Sequence, residues 1–381
     1  MWLPASPPLT LRFRPPGREP ACWDALFPPH AMLFARCRFA LYAGLRGLAR
    51  TRGVRRLWIP AYLCCCVLEA VEAANVEPVP YDVGDGLRPR LDTIAPAPGD
   101  GLLVVHYFGL LPPMDAVVAF CREHDLPLVE DCAHTVPDPA SPVRAGAHGT
   151  FAVFSLRKQA PVPGGGLLVV NDPALRPAIA PPPPPGLGDA RTLGRLALTL
   201  VERTAAALDC NLLRWKDRLP VIDLAHDEPQ RRALADPDYA RPPRPSVVLA
   251  PLLRRLDWAA IIAARRDVYR RLATALDGVA GIALPVAVAP VGSVPQMLPL
   301  HVADPGEAAR RLRRRGIEAM CWPGVEQYAL DRAAFPGARR WLDHGVCLPL
   351  GYALTPGRAA RVVEAVREAA AAVVTTPSAF A

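Results

Sequence analysis

Residues 101–131, GLLVVHYFGLLPPMDAVVAFCREHDLPLVED, decide the fold class. An apolar run, GLLVVHYFG (101–109), leads into a helical stretch, MDAVVAFCREHD (114–125), and then into a second apolar run, PLVED (127–131). Two strand-like runs joined by a helix of ordinary length form the repeating unit of a parallel sheet flanked by helices. The alternation continues on both sides. Upstream, residues 38–50 carry Leu41, Leu45 and Leu48 on one helical face and stop near Gly53. A strand (57–60), a helix (63–75) and a strand (76–81) follow. Downstream lie two more strands, TFAVFS (150–155) and GLLVVND (166–172).

Beyond Pro173 the character changes. PALRPAIAPPPPPG begins a proline-punctuated segment, 173–245, that can neither donate regularly to a sheet nor continue a helix. Within it, residues 191–219 read as a long amphipathic helix. From Val247 onward the order is helix (251–276), strand (296–303), helix (305–316), strand (317–322) and a last helix (356–373). The organisation expected is an N-terminal extension, 1–30, and a large α/β/α domain, 31–245, with a mostly parallel sheet. A smaller C-terminal α/β domain, 246–381, completes it.

Composition narrows the function classes. An apolar fraction of 51% over 381 residues is enough to bury a core. No stretch reaches the ~18 uninterrupted apolar residues of a membrane helix, and the proline-rich start has no signal-peptide core, so a cytoplasmic protein is expected. The net charge of +8 comes mostly from arginine. The arginine runs lack the interleaved aromatics of a nucleic-acid platform, so they read as solvated helix faces, and no nucleic-acid partner is expected. A diffuse basic field would still draw in an anionic small molecule. Ten cysteines show neither C-x-x-C pairs nor zinc spacing. Three are consecutive, Cys64 to Cys66, where neighbours on a helix cannot converge on one ion, so free thiols and no metal are expected.

In parallel α/β sheets, ligands bind at the carboxyl ends of the strands. Asp131 ends LPLVED, with His134 three residues later; alone, it could as well cap the next turn. Lys158 follows TFAVFS and precedes Gly164, Gly165 and Gly166; alone, it needs no explanation beyond a surface lysine. Together they match a known chemical requirement. A desolvated lysine forms a Schiff base with an aldehyde such as pyridoxal phosphate, and a carboxylate keeps the pyridine nitrogen of that cofactor protonated. Backbone donors at a helix N-terminus, for which FARCRF (34–39) is a candidate, suit its phosphate. Ser155 could add a hydroxyl, and the glycines would let the backbone pass close to a bulky ring.

The order RCRFAL, WIPAYLCCCVLEAV, VVHYFGLLPPMDAV, PLVEDCAHT and GTFAVFSLRKQAPVPGGGLLVVND resembles the DegT/StrS-type sugar aminotransferases, fold-type I pyridoxal-phosphate enzymes. RRLRRRGIEAMCWP and HGVCLPLGYALTPGRAARVVEAV are similar to that family's small domain. The resemblance implies that Lys158 holds the cofactor as a Schiff base and shuttles protons. It implies that Asp131 meets the pyridine nitrogen, that His134 lies near the ring, and that Ser155 and the Cys37-Arg38-Phe39 turn hold the phosphate. Tyr62 is the one ring near the position where many members stack an aromatic on the cofactor; that position itself is Cys64. Ser155 is separated from Lys158 by two residues where many members have four. The implied activity moves an amino group from an amino-acid donor, glutamate or glutamine, to the keto group of a nucleotide-linked sugar, in a homodimer. Two alternatives stay open: a pyridoxal-phosphate-fold binding or regulatory protein without turnover, and a sugar dehydratase. Members that dehydrate typically carry histidine in place of the lysine. A nicotinamide dehydrogenase is disfavoured, since no G-x-G-x-x-G follows the first strand.

Overall fold

A computed structural model describes residues 3, 21–162, 164–187, 201, 238–322, 333–350 and 354–374. Its main body is a seven-stranded sheet of β1 (Met32–Phe34), β2 (Arg56–Pro60), β3 (Glu77–Tyr81), β4 (Asp100–Val105), β5 (Leu128–Cys132), β6 (Phe151–Ser155) and β7 (Gly166–Val170). The spatial order is β1-β7-β6-β5-β4-β2-β3. The pairs β2–β3, β2–β4, β4–β5 and β5–β6 are parallel, and β7 runs antiparallel to both its neighbours. The sheet is thus mostly parallel, as the sequence implies.

Helices α1 (Ala21–Leu26), α2 (Cys37–Arg52), α3 (Cys65–Ala73), α4 (Met114–Glu123) and α5 (Leu156–Gln159) belong to this body. Every residue of β4, β5 and β6 is buried, as expected of central parallel strands covered on both faces. Helix α2 lies so close to the sheet that a Cβ on Gly44 would sit 2.5 Å from the Phe151 ring. At the β2–β4 seam, Arg56 donates from Nε and Nη2 to the two Asp100 carboxylate oxygens, both at 2.8 Å, and Trp58 Nε1 donates to the second at 2.9 Å. This half-buried fork lies at the point where the strand order reverses. In open α/β sheets ligands bind at the carboxyl ends beside such a reversal.

The C-terminal unit contains α6 (Leu249–Arg255), α7 (Trp258–Leu276), β8 (Met297–His301), α8 (Pro305–Arg314), α9 (Pro336–His344), β9 (Gly345–Pro349) and α10 (Pro356–Val374). β8 and β9 form an antiparallel pair, and a core including Val268, Leu272, Leu298, Leu312, Val346 and Val366 lies around it. Asp82, just past β3, accepts hydrogen bonds from the Gly337 and Ala338 N–H groups at 3.0 and 2.9 Å, so the first body caps α9 of the second. Leu3 bridges Ile317 in parallel, which brings the start of the chain to this unit.

Several local readings change. The expected helix 251–276 is two helices, because Leu256 is extended and Asp257 then caps α7 by accepting from the Ala260 N–H at 3.1 Å. The expected strand 317–322 makes only isolated bridges, Ile317 to Leu3 and Met320 to Cys347; the place beside β8 is taken by β9, which carries a continuous run of partners. β1 is three residues long, too short to leave a periodic signal. The helix expected at 191–219 falls outside the described residues except at 201. Among the described residues no helix is long and apolar enough to cross a membrane.

Candidate functional site

β2, β4, β5 and β6 all end on one edge of the sheet, and the side chains singled out from the sequence cluster there. On β5, alternation sends neighbouring carboxylates to opposite faces. Glu130, fully buried, accepts from His106 Nε2 (2.9 Å) and from the backbone N–H groups of Gly146 (2.9 Å), His148 (2.6 Å) and Gly149 (2.6 Å). Burial pushes its carboxyl up, but these donors outweigh it and hold Glu130 below the usual carboxylate range. His106, Glu130 and Cys132 are the one group of potential metal ligands within 4.8 Å of one another among the described residues. The four N–H donors already engage both Glu130 oxygens, so the group is a latch holding loop 146–149 on β5.

Asp131 faces the other way. It is buried, and its Oδ1 accepts from the Ala133 N–H at 2.9 Å, the turn bond that the sequence alone suggests. Desolvation pushes its carboxyl above the usual range, against the opposing charge of Lys158. His134 is buried too, and its Nδ1 accepts from the Phe108 N–H at 3.0 Å, which puts the ring proton on Nε2. Its ring stacks on Phe108 (5.8 Å, 14°) and meets Trp322 edge-on (5.2 Å, 83°). Desolvation, then the charges of Lys158 and Arg157, hold it neutral, well below the ordinary histidine value.

Lys158 does not sit in an open turn. Ser155, buried at the end of β6, is the N-cap of the single helical turn α5, which carries Lys158. Gln159, also buried, donates its amide to the His134 carbonyl at 2.5 Å. Lys158 lies within electrostatic reach of Asp131, His134, Cys37, Cys64 and Cys66. The charge of Lys158 is thus felt by side chains at the end of β5 and at the starts of α2 and α3.

The glycines lie against the turn that starts α2. A Cβ on Gly166 would meet the Arg36 carbonyl carbon at 2.2 Å and the Cys37 nitrogen at 2.4 Å, and Gly165 donates its N–H to the Ala35 carbonyl at 2.9 Å. Gly165 has φ +104°, a backbone region that favours glycine. Arg36 is the extended N-cap of α2 and offers no side-chain cap, so the first N–H groups of a 16-residue helix face this edge without one.

Other candidates point elsewhere. Arg38 pairs with Glu69 on α3 at 2.7 Å, and Phe39 is buried in the core, its ring 5.5 Å from that of Tyr239. Tyr62 is buried, with its hydroxyl donated to the Trp322 carbonyl and its ring packed on Tyr107 and Trp322. Cys64 is the extended N-cap of α3, outside the helix, and its Sγ lies 3.0 Å from that of Cys66. Contact with Cys65, with burial adding to it, pushes the Cys64 thiol up to about 11.

Sequence reasoning missed Phe108, Gln159 and Trp322. It also passed over a compositional signal: of 44 basic residues only Lys158 and Lys216 are lysines. Where arginine serves every other cationic position but one, a lysine at a buried strand end stands out, because only lysine readily gives up its proton.

Residues 29–186 match the DegT/DnrJ/EryC1/StrS aminotransferase family. The L-glutamine:2-deoxy-scyllo-inosose aminotransferase of Micromonospora echinospora is 30% identical over 123 residues, 31% of this chain and 29% of that protein. The dTDP-4-dehydro-2,3,6-trideoxy-D-glucose 4-aminotransferase of Saccharopolyspora spinosa is also 30% identical over 123 residues, 31% of this chain and 32% of that protein. The matched stretch thus spans about a third or less of these relatives. Among solved structures, S. venezuelae DesV, captured with a ketimine intermediate, superposes with a TM-score of 0.65 over 91% of this chain and 86% of its own at 23% identity. The sugar aminotransferase CalS13 of Micromonospora echinospora gives 0.59 over 89% and 87% at 20% identity. These likenesses establish a shared fold, that of the fold-type I aminotransferases. Through residues 29–186, less than half of its length, the chain is similar to the DegT/DnrJ/EryC1/StrS aminotransferase family.

Proposed function

We propose that this protein is a pyridoxal-phosphate-dependent aminotransferase. In this reading it moves an amino group from glutamate or glutamine to the keto group of a sugar, preferentially a nucleotide-linked one. The observation that carries it is the placement of Lys158 beside the buried Asp131 at the carboxyl edge of a parallel sheet. The donor set fits the cofactor: an amine, a buried carboxylate with one oxygen already oriented by the Ala133 N–H, a neutral imidazole, and a helix N-terminus with no side-chain cap.

Lys158 would hold the cofactor and carry protons to and from the substrate carbon. Asp131 would face the pyridine nitrogen, and a carboxylate raised by burial gains most when a cation pairs with it. The α2 N-terminus would take the phosphate. Pyridoxal phosphate, when bound, supplies the electron-accepting ring that amine transfer needs. We further propose a cytoplasmic homodimer, which light scattering tests.

The test is direct. Purified protein given pyridoxal phosphate should turn yellow, and borohydride should bleach the colour and fix the added mass on Lys158. Glutamate or glutamine should then shift the absorbance of the untreated holoenzyme. Protein that stays colourless overturns the reading. One observation favours a second reading, a binding protein without turnover: Cys64 offers no ring at the stacking position, and the nearby Tyr62 is turned onto Trp322. Cofactor uptake that no amino donor can discharge would select it.

A further inference from the structure

α7 carries Ile261, Ile262, Val268 and Leu272 on its buried face, and in the same stripe a charged residue, Arg265, 2% exposed. Packing alone would place an aliphatic side chain there, because a buried guanidinium is costly unless acceptors surround it. Arg265 reaches four acceptors in two segments. Its Nη2 donates to the carbonyls of Lys158 (3.2 Å) and Gln159 (3.4 Å), and its Nη1 to those of Pro295 (3.1 Å) and Gln296 (3.2 Å).

The first pair are carbonyls at the C-terminal end of α5. A helix of four residues is far shorter than the ~12 needed for marginal stability alone, and its last carbonyls have no partner within it. A cation is favoured at that end. Helix α5 therefore takes its geometry from outside, and Arg265 grips its carbonyl end. The second pair lies just before β8, and the Gln296 N–H in turn donates to the Phe108 carbonyl at 2.6 Å. Phe108 is the residue whose N–H fixes His134.

We propose that Arg265 is a positioning residue: it fixes the helical turn that directs the Lys158 amine and ties that turn to the segment entering β8. The catalytic consequence rests on the aminotransferase reading, but the positioning does not, so the two fail separately.

Lys158 and Lys216 are the only lysines in the chain, so reductive methylation followed by peptide mass spectrometry reads Lys158 against an internal reference. The protein is compared, without added cofactor, as wild type, Arg265→Met, Arg265→Lys and Arg266→Met. Arg266 is the control, since it binds Asp138 Oδ2 (2.6 Å) and the Ser293 carbonyl (2.8 Å) and does not hold the Lys158 turn. The Lys158-to-Lys216 labelling ratio should change about tenfold in Arg265→Met, equivalent to ~1.4 kcal/mol, in part in Arg265→Lys, and not in Arg266→Met. In the holoenzyme, Arg265→Met should lower kcat by about 100-fold, as for a misplaced reacting group, with KM little changed. If Arg265→Met does not fold, Arg265→Lys carries the test. A folded Arg265 variant with the wild-type labelling ratio overturns the proposal. A wild-type protein that refuses pyridoxal phosphate overturns the aminotransferase reading and leaves the labelling result standing.

Discussion

The Gln159 side-chain amide donates to the His134 backbone carbonyl at 2.5 Å, and both residues are buried. Through this bond the turn after β6, which carries Lys158, is tied to the turn after β5, which follows Asp131. Gln159→Leu keeps the volume and removes the donor, leaving the His134 carbonyl without this partner. A buried polar group left unpaired costs about 1–3 kcal/mol. Denaturant unfolding should show that loss, with an unchanged slope against denaturant.

Glu130→Gln should destabilise by about 3 kcal/mol or more, since charge-assisted bonds are each worth about 1.5–3 kcal/mol and one carboxylate oxygen becomes an N–H₂ facing backbone donors. The affected loop is residues 146–149, so hydrogen exchange at Gly146, His148 and Gly149 should accelerate most. Unchanged exchange there would contradict the latch.

Gly166→Ala tests the α2 turn. The new Cβ would lie 2.2 Å from the Arg36 carbonyl carbon and 2.4 Å from the Cys37 nitrogen, backbone atoms that cannot rotate away. Overpacking of this kind costs about 1–3 kcal/mol. Thermal melting should register it, and pyridoxal phosphate affinity should fall with it, because the displaced turn holds the phosphate in the proposed function. A stable variant with native cofactor affinity would separate the glycine contact from the site.

Two histidines set an acid limit on stability. Desolvation, with the charges of Lys158 and Arg157, holds His134 well below its ordinary 6.5. Desolvation, with Arg340 and His344 nearby, lowers His301 from 6.5 to about 4. Below pH 6.5 the unfolded chain binds these protons and the folded chain does not, so stability is full above 6.5 and falls as pH drops. For His301 the loss runs from pH 6.5 to about 4. His301→Gln should flatten the slope of unfolding free energy in that window by up to one proton, and denaturant titrations at several pH values measure it.

Much of the first body was legible along the chain. The runs at 101–109, 127–131, 150–155 and 166–172 lie within a residue or a few of β4, β5, β6 and β7, because a strand buried on both faces is a continuous apolar run and needs no distant partner to be seen. Lys158 and Asp131 were legible for the same reason, as polar residues closing such runs. Helix α5 was not, since four residues carry no period, and β9 was not, because its pairing with β8 is antiparallel and distant in sequence.

The sequence by itself determined the parallel sheet, the family resemblance and the placement of Asp131 and Lys158 at strand ends, all of which depend on local pattern. Only the tertiary structure decided how those residues are held. Arg265 grips the Lys158 carbonyl from 107 positions away, and Trp322 closes on His134 from the C-terminal unit. Contacts between segments remote in sequence depend on how helices and loops pack, and no local period encodes them.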